Sequence, residues 1–350
     1  MNVRPYLLCS TLLSTPAFSA IEITDNLFVS GFGSTSWVKS DNENDLLINR
    51  EINDESCWDC DTTFGLQLDY YYEAFSTSLQ VVKRPQDEWS SPEVEWAYIG
   101  YETDNFNFRL GRLRLPLFLL SEYYYVGHAY TTARPSDEVY NSVLGITSFD
   151  GGSIQYSTEV NDEMALSIEP FYAIQRDSDV RFNDFQEYHF DTKRMYGVSV
   201  DLEFDRGKLR TTYLESEYDM TVTLGSMTLP TFKDQDISVW TLGGMYEFEH
   251  LTLSIEGQRN RVSKSWYTNV QTTFHSLIPY VQYGEIYGED NDKSSDSFTA
   301  GLRYNLRPSV SLNAEWQYFD TVEEGSRRGS FTTGFGQSAN LYTIMLNYVF

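Results

Sequence analysis

The feature that most constrains this chain is a short segment, repeated along its whole length, in which apolar and polar residues alternate with period two. Phe64, Leu66, Leu68, Tyr70 and Tyr72 share one face, and Gly65, Gln67, Asp69 and Tyr71 the other. Tyr196 to Phe204, Phe298 to Leu306 and Val310 to Tyr318 repeat the pattern. A strand alternates in this way when its two faces meet different media. One such strand fits a soluble sheet equally well. Repetition from end to end, with no helical period to supply a second layer, points to one large closed sheet.

Hydropathy alone gives a different impression: the mean hydropathy is −0.41, and only 41% of residues are apolar. The longest apolar run, Leu113 to Leu120, is interrupted by Arg114 and Pro116 and falls short of the roughly 20 residues a membrane helix needs. Aromatic residues, however, reach 16%, led by 26 Tyr and 22 Phe, as girdles at two membrane interfaces require.

Each apolar–polar segment has roughly ten residues, and about sixteen can be placed, an even number as in bacterial barrels. The weakest part of that count is 259–287, which read as one loop would leave about fourteen. Short turns such as Glu73-Ala74, Asn161-Asp162 and Arg307-Pro308 carry turn residues and belong on the periplasmic side. Longer connections at 38–62, 114–147, 175–192, 219–235 and 320–339 belong outside the cell. An open sheet edge in lipid would leave backbone groups unpaired, so the sheet must close. The expected fold is therefore all-β, a transmembrane antiparallel barrel.

The N-terminus has the layout of a secretory signal: Arg4, an apolar Tyr6–Leu13, then Pro16-Ala17-Phe18-Ser19-Ala20. Residues 1–20 are expected to be removed, by cleavage after Ser19 or Ala20, leaving 21–350 as the barrel. Cys9 leaves with the signal, and Cys57 and Cys60 remain, in an oxidising compartment. Their Cys-Trp-Asp-Cys spacing has no second ligand pair and no redox-fold context, so a small disulfide loop is expected and no metal site. The formal charge is −26; the signal holds one Arg and no acid, so the mature value is −26 − 1 = −27. That excludes nucleic acid as a partner.

At the C-terminus, Tyr342, Ile344, Leu346, Tyr348 and Phe350 alternate back along one face of the last segment. This resembles the terminal-aromatic signal read by the outer-membrane assembly machinery. The first segment, Leu27 to Gly33, the alternation throughout, the long third outer connection and Phe350 together resemble Gram-negative porins. Arg109-Leu110-Gly111-Arg112-Leu113-Arg114-Leu115-Pro116, with Ser121-Glu122 and Arg134-Pro135, is similar to an uncharacterised porin branch of marine gammaproteobacteria. The resemblance implies a water-filled channel for passive diffusion of small hydrophilic solutes and ions, with a substrate-specific sugar or anion channel as the alternative. It implies a third outer loop folded into the lumen, a homotrimer, and outer-membrane lipid and lipopolysaccharide as surroundings.

Under that reading, 114–147 is the constricting loop, and it holds Tyr123, Tyr124, Tyr125, His128, Tyr130, Arg134, Asp137 and Glu138. Arg109 faces inward if Phe106, Phe108 and Leu110 face lipid. A change of phase at Gly111, through a bulge, would turn Arg112 and Arg114 inward too. The expected eyelet sets Arg109, Arg112 and Arg114 on the wall against Glu122, Asp137 and Glu138 on the loop, with Arg134 between. Salt bridges that merely tie the loop to the wall are the other role open to these arginines. The acids at Asp41, Glu43 and Asp45, and at Glu289, Asp290 and Asp292, read as solvated, or as bridging divalent cations to lipopolysaccharide. With four His in all and no Ser-His pairing or carboxylate dyad, no catalytic residues and no cofactor are expected. An outer-membrane hydrolase and a secreted lectin-like protein are the remaining alternatives.

Overall fold

The computed structural model describes residues 20–85, 91–144, 146–174, 176–322 and 329–350. The signal segment 1–19 lies outside them. Among the described residues, sixteen antiparallel staves close into a barrel. In the first half they are Leu27–Ser40, Thr63–Tyr72, Phe75–Lys83, Glu93–Glu102, Phe106–Arg114, Ser148–Asn161, Met164–Ala173 and Gln186–Phe204. The second half contains Gly207–Leu224, Phe232–Glu247, Thr252–Arg259, Ser263–Gln271, Leu277–Gly288, Lys293–Arg307, Val310–Thr321 and Ser338–Val349. The uncertain stretch 259–287 holds separate staves.

Closure joins the last stave to the first, from Leu341↔Ser40 to Val349↔Phe32. Phe350 adds reciprocal backbone bonds with Gly31, both 2.9 Å. Small residues make that seam possible. A Cβ on Gly31 would lie 2.3 Å from the Phe350 ring, and one on Gly33 would lie 2.5 Å from the Tyr348 ring. The terminal aromatics thus lie flat over glycines of the neighbouring stave, a device that pins register at a seam. Tyr342, Ile344, Leu346 and Tyr348 are exposed on the outer face, while Thr343, Met345 and Asn347 are buried inside.

The same division runs round the wall. Leu66, Ile99, Leu110, Trp240, Leu242 and Ile255 point outward, and Ser78, Gln80, Ser153, Thr212, Glu256 and Asn313 point inward. A short segment, Ile21–Thr24, pairs with the first stave.

Two connections expected to be loops are strand instead. Within 175–192, Arg176–Asn183 pairs with the upper part of the 19-residue Gln186–Phe204. Within 219–235, the 18-residue strand Gly207–Leu224 runs on to Leu224, and Phe232–Glu247 has already begun. A membrane stave needs about 9–11 residues, so these hairpins rise above the bilayer. Acids and threonines hide the pattern there, yet the aromatics still meet edge to face, Phe182 with Tyr188 and Phe190 with Tyr218. Over the mouth, the first and last outer loops share an apolar cluster of Leu46, Leu47, Ile52 and Phe331 with the stave residues Val38, Phe319 and Leu341.

Candidate functional site: the pore and the loop inside it

The third outer connection leaves the stave Phe106–Arg114 and returns at Ser148. On one side of the lumen it docks through apolar surface. Leu115, Leu117, Phe118, Val139 and Tyr140 pack on the inward side chains Leu113, Phe149, Phe171, Met195, Leu214, Val239 and Tyr267. Burying a large apolar side chain contributes about 1.5–3 kcal/mol, so this contact holds the loop on the wall. Its backbone is satisfied by wall side chains: Thr212 and Thr241 hydroxyls donate to the Pro116 and Leu117 carbonyls at 2.8 and 2.7 Å, and Arg210 Nη1 donates to the Phe118 carbonyl at 2.8 Å. Glu256 accepts the Leu119 N–H at 2.6 Å, the Tyr140 hydroxyl at 2.8 Å and the Tyr267 hydroxyl at 3.2 Å.

On the other side the loop docks through polar groups. His128 bonds the Pro308 carbonyl at 2.9 Å, and Arg303 donates to the carbonyls of His128 and Tyr130. Burial, then the Arg303 charge, push the His128 imidazole below its usual pKa, against the Pro308 carbonyl bond, which raises it. The Ala133 N–H donates to Glu315 at 3.0 Å. Arg134 clamps Asp61 through Nε at 2.9 Å and through Nη2, and lies 3.9 Å from Glu315. Arg50 adds a 2.8 Å bond to the same Asp61. Burial opposes ionisation of Asp61, but Arg134 and Arg50 outweigh it and hold the carboxyl at about 2. Asp137 behaves oppositely: burial and the neighbouring Glu138 raise it to about 6, although Ser330, Arg50 and Asn141 favour its charge.

The expected eyelet residues are not brought together as one set. The ladder from Phe106↔Tyr156 to Arg114↔Ser148 runs without a register shift, so no bulge turns the phase at Gly111. Gly111 instead absorbs a φ of +135°, a conformation that favours glycine. Arg109 sits on a rung with Gly100 and Ser153, faces the lumen and pairs with Glu169. Arg112 shares the face of the lipid-exposed Leu110 and pairs with Asp150 at 2.7 Å, outside the lumen. Arg114, at the stave end, pairs with Glu95 at 2.7 Å and lies 5.3 Å from the Tyr125 ring centre. The carboxylates that pair with these three arginines, Glu169, Asp150 and Glu95, all belong to the wall and not to the loop.

The loop acids go elsewhere. Glu122 lies 3.4 Å from Arg210, which also pairs with Asp201, itself 3.2 Å from Lys208. Glu138 is buried and accepts the hydroxyls of Ser136 and Ser297. Asp137 accepts from the Asn141 amide. Sequence reasoning missed Arg210, Glu256 and Asp61. Arg210 and Glu256 stand at inward positions of alternating staves, and that parity was the available signal. Cys57 and Cys60 are bonded to each other, S–S 2.01 Å. Asp41 accepts the Asn340 N–H and side-chain amide, both at 2.7 Å, so it is engaged within the chain.

A barrel of this stave number, with a third loop docked on its inner wall, invites comparison with known channels. A profile described as Gram-negative porin matches residues 11–324. The chain belongs to the Gram-negative porin family. Its place is therefore the outer membrane. Among solved structures it is similar to OmpF of Salmonella typhi in complex with daunomycin, at 12% identity and TM-score 0.64, covering 95% of this chain and 100% of that one. The anion-selective porin of Comamonas acidovorans matches at 14% identity and TM-score 0.64, over 93% and 99%. A loop L8 deletion mutant of OmpT, an outer-membrane protein of Vibrio cholerae, matches at 13% identity and TM-score 0.61, over 93% and 100%. No curated protein matches. At these identities the likenesses establish the porin fold alone.

Proposed function

We propose that this porin is a general-diffusion channel, carrying small hydrophilic solutes and ions passively through its lumen, and not an enzyme. The observation that carries the proposal is the character of the inner wall beside and below the loop. Gln67, Asp69, Tyr98, Arg109, Glu169, Asp201, Glu203 and Lys208 all stand at inward-facing positions there. Their charges are largely paired, Arg109 with Glu169 and Lys208 with Glu203 at 3.3 Å. Paired charges of both signs along a wet path favour polar solutes over apolar ones and discriminate little between ions.

In place of the eyelet expected from sequence stands a mixed cluster of Arg210, Lys208, Asp201, Glu203 and Glu122, whose charges pair across two neighbouring staves and at the loop and so put little net field across the lumen. Acid in the outer loops adds a cation preference at low salt, since charges outside the pore are screened over about 8–10 Å at physiological salt. The mature chain starts at residue 20 or 21, inserts through the assembly machinery by its Phe350 signal, and works as a homotrimer among lipid and lipopolysaccharide. Planar-bilayer recording of the refolded protein tests this. The expected result is stepwise conductance with a small reversal potential under a salt gradient, moved little by neutralising Arg109, Arg112 and Arg114 together. Folded protein that conducts no ions would overturn the proposal.

A further inference from the structure

Several outward-facing cations near the upper rim of the wall have an acid beside them. Arg112 pairs with Asp150, Arg194 with Glu217, and Lys293 with Glu285 and Asp296. One rung is built differently. Trp240 stands opposite Arg259, Arg259 opposite Lys264, and Lys264 opposite Tyr287. Trp240 points to lipid, while Gln258 and Ser265, the sequence neighbours of the two cations, are buried on the inner face. Alternation therefore turns Arg259 and Lys264 outward, side by side. Like charges directly opposite each other in a sheet repel. Among the described residues no carboxylate pairs with either one; Lys264 donates to the neutral side-chain oxygen of Asn291. Glu285, one outward rung below, is committed to Lys293, to the Trp266 indole and to the hydroxyls of Tyr283 and Tyr287. Arg261, just past the stave end, is bonded to Asp236 at 2.8 Å.

The height of this rung gives the pair its meaning. Thr252–Arg259 and Ser263–Gln271 are joined on the outer side by 260–262 alone, so the rim is low here and both cations sit beside it. Below them the outward face turns apolar. Leu242 is 64% exposed and Ile255 53%, and Gly257, between Leu242 and Trp266, adds no side chain. Trp240 and Tyr287, at the two ends of the rung, belong to the aromatic girdle that marks the boundary between hydrocarbon and headgroups. Two cations at that boundary, above a bare apolar face, complement a lipid with an anionic headgroup whose chains run down the wall. A guanidinium matches phosphate with two parallel N–H bonds, and an ammonium adds a compact charge beside it.

We propose that Arg259 and Lys264 form a binding site for the phosphate monoester of an outer-leaflet glycolipid, with an acyl chain lying over Leu242, Gly257 and Ile255. The inference rests on the barrel standing among lipopolysaccharide and not on its conductance, so loss of the channel reading leaves it untouched. The phosphate removes the repulsion between the two cations. The bound lipid in turn ties the low rim of the wall to the leaflet around it.

The test is titration of the refolded mature barrel, in a neutral detergent, with diphosphoryl lipid A. Native mass spectrometry counts the lipid retained per subunit, and heat-modifiable mobility first shows that each variant is folded. Wild type is expected to retain lipid A saturably. It should hold phosphatidylcholine, whose phosphate carries its own cation, about 10-fold more weakly. Arg259→Gln with Lys264→Gln should raise the half-saturating lipid A concentration about 10-fold, through the loss of charge-assisted hydrogen bonds. Arg206→Gln with Arg307→Gln removes the same charge from exposed positions at the periplasmic turns and should leave that concentration unchanged. Equal weakening by the two double variants would reduce the effect to overall charge and overturn the site. Binding that survives loss of Arg259 and Lys264 would overturn it as well. Phosphatidylcholine held as tightly as lipid A would overturn the phosphate assignment. If the Arg259, Lys264 variant does not fold, Arg259→Gln alone decides, with a shift of about 3-fold expected and no shift overturning the site.

Discussion

The two sides of the lumen hold the same loop with different balances of apolar and polar contact. Against the staves from Phe106–Arg114 to Phe232–Glu247, Leu115, Leu117 and Phe118 bury apolar surface on Phe149, Phe171, Leu214 and Val239. Against the staves from Leu277–Gly288 to Ser338–Val349, the loop is held mainly by Arg134, Arg303, Glu315 and backbone groups, with a smaller apolar cluster of Tyr125 and Val126 on Val349 and Phe32. The apolar side is tolerant of detail, since burial is non-directional. The polar side is directional, and losing one partner strands the other. Hydrogen bonds from both walls fix the loop's path, and the Phe149–Val239 side adds the larger share of apolar burial.

The largest effect is expected on the polar side. Arg134→Met leaves Glu315 without its cation and Asp61 with Arg50 alone, in a buried setting, and should cost about 3–5 kcal/mol of loop docking. Proteolysis within 115–147 and conductance noise report the loss. Leu117→Ala, on the apolar side, should cost about 2–5 kcal/mol and leave the loop's path unchanged. Equal disorder in both variants would erase the distinction between the two sides.

The next effect is pH dependence, and its sign follows from Asp137. In the docked loop this carboxyl keeps its proton up to about pH 6, against 3.8 ordinarily. The docked state therefore binds more protons between those values, so docking is strongest below about pH 4 and weakens as pH rises through about 6. Two units correspond to roughly 2–3 kcal/mol. Asp137→Asn should flatten the proteolysis profile over that window. A wild-type profile that is already flat there would show that Asp137 is not buried at the loop. Asp61, held at about 2, contributes in the other sense: the docking it supports is lost only at strongly acid pH.

The smallest effect belongs to Cys57–Cys60, which closes so short a loop that its entropic contribution is at most about 2 kcal/mol, confined to the first outer loop. Replacing both with Ser should leave barrel unfolding unchanged. A fall in barrel stability would tie that loop to the wall more closely than its contacts suggest.

The barrel was legible in the sequence because alternation is a local signal, repeated in every stave. It failed where polar residues outnumber apolar ones, in the hairpins above the membrane. The site was less legible for a physical reason. Parity says which way Arg210, Glu256 or Glu315 points, yet it cannot say which loop residue meets it across the lumen. Arg112 was placed inward on an assumed bulge, whereas Gly111 keeps the ladder in phase by adopting a positive φ.

The most direct test of the docked loop is a cross-link between Leu119 and Gly243. A Cβ on Gly243 would lie 2.8 Å from the Leu119 side chain, close enough for the Cβ–Cβ separation of about 3.5–4.5 Å that a disulfide requires. The double variant Leu119→Cys, Gly243→Cys, made on a Cys57→Ser, Cys60→Ser background and assembled in the outer membrane, should oxidise to completion without loss of the folded barrel. Two free thiols in a folded barrel, labelled by a reagent added outside the cell, would contradict a loop held against the inner wall.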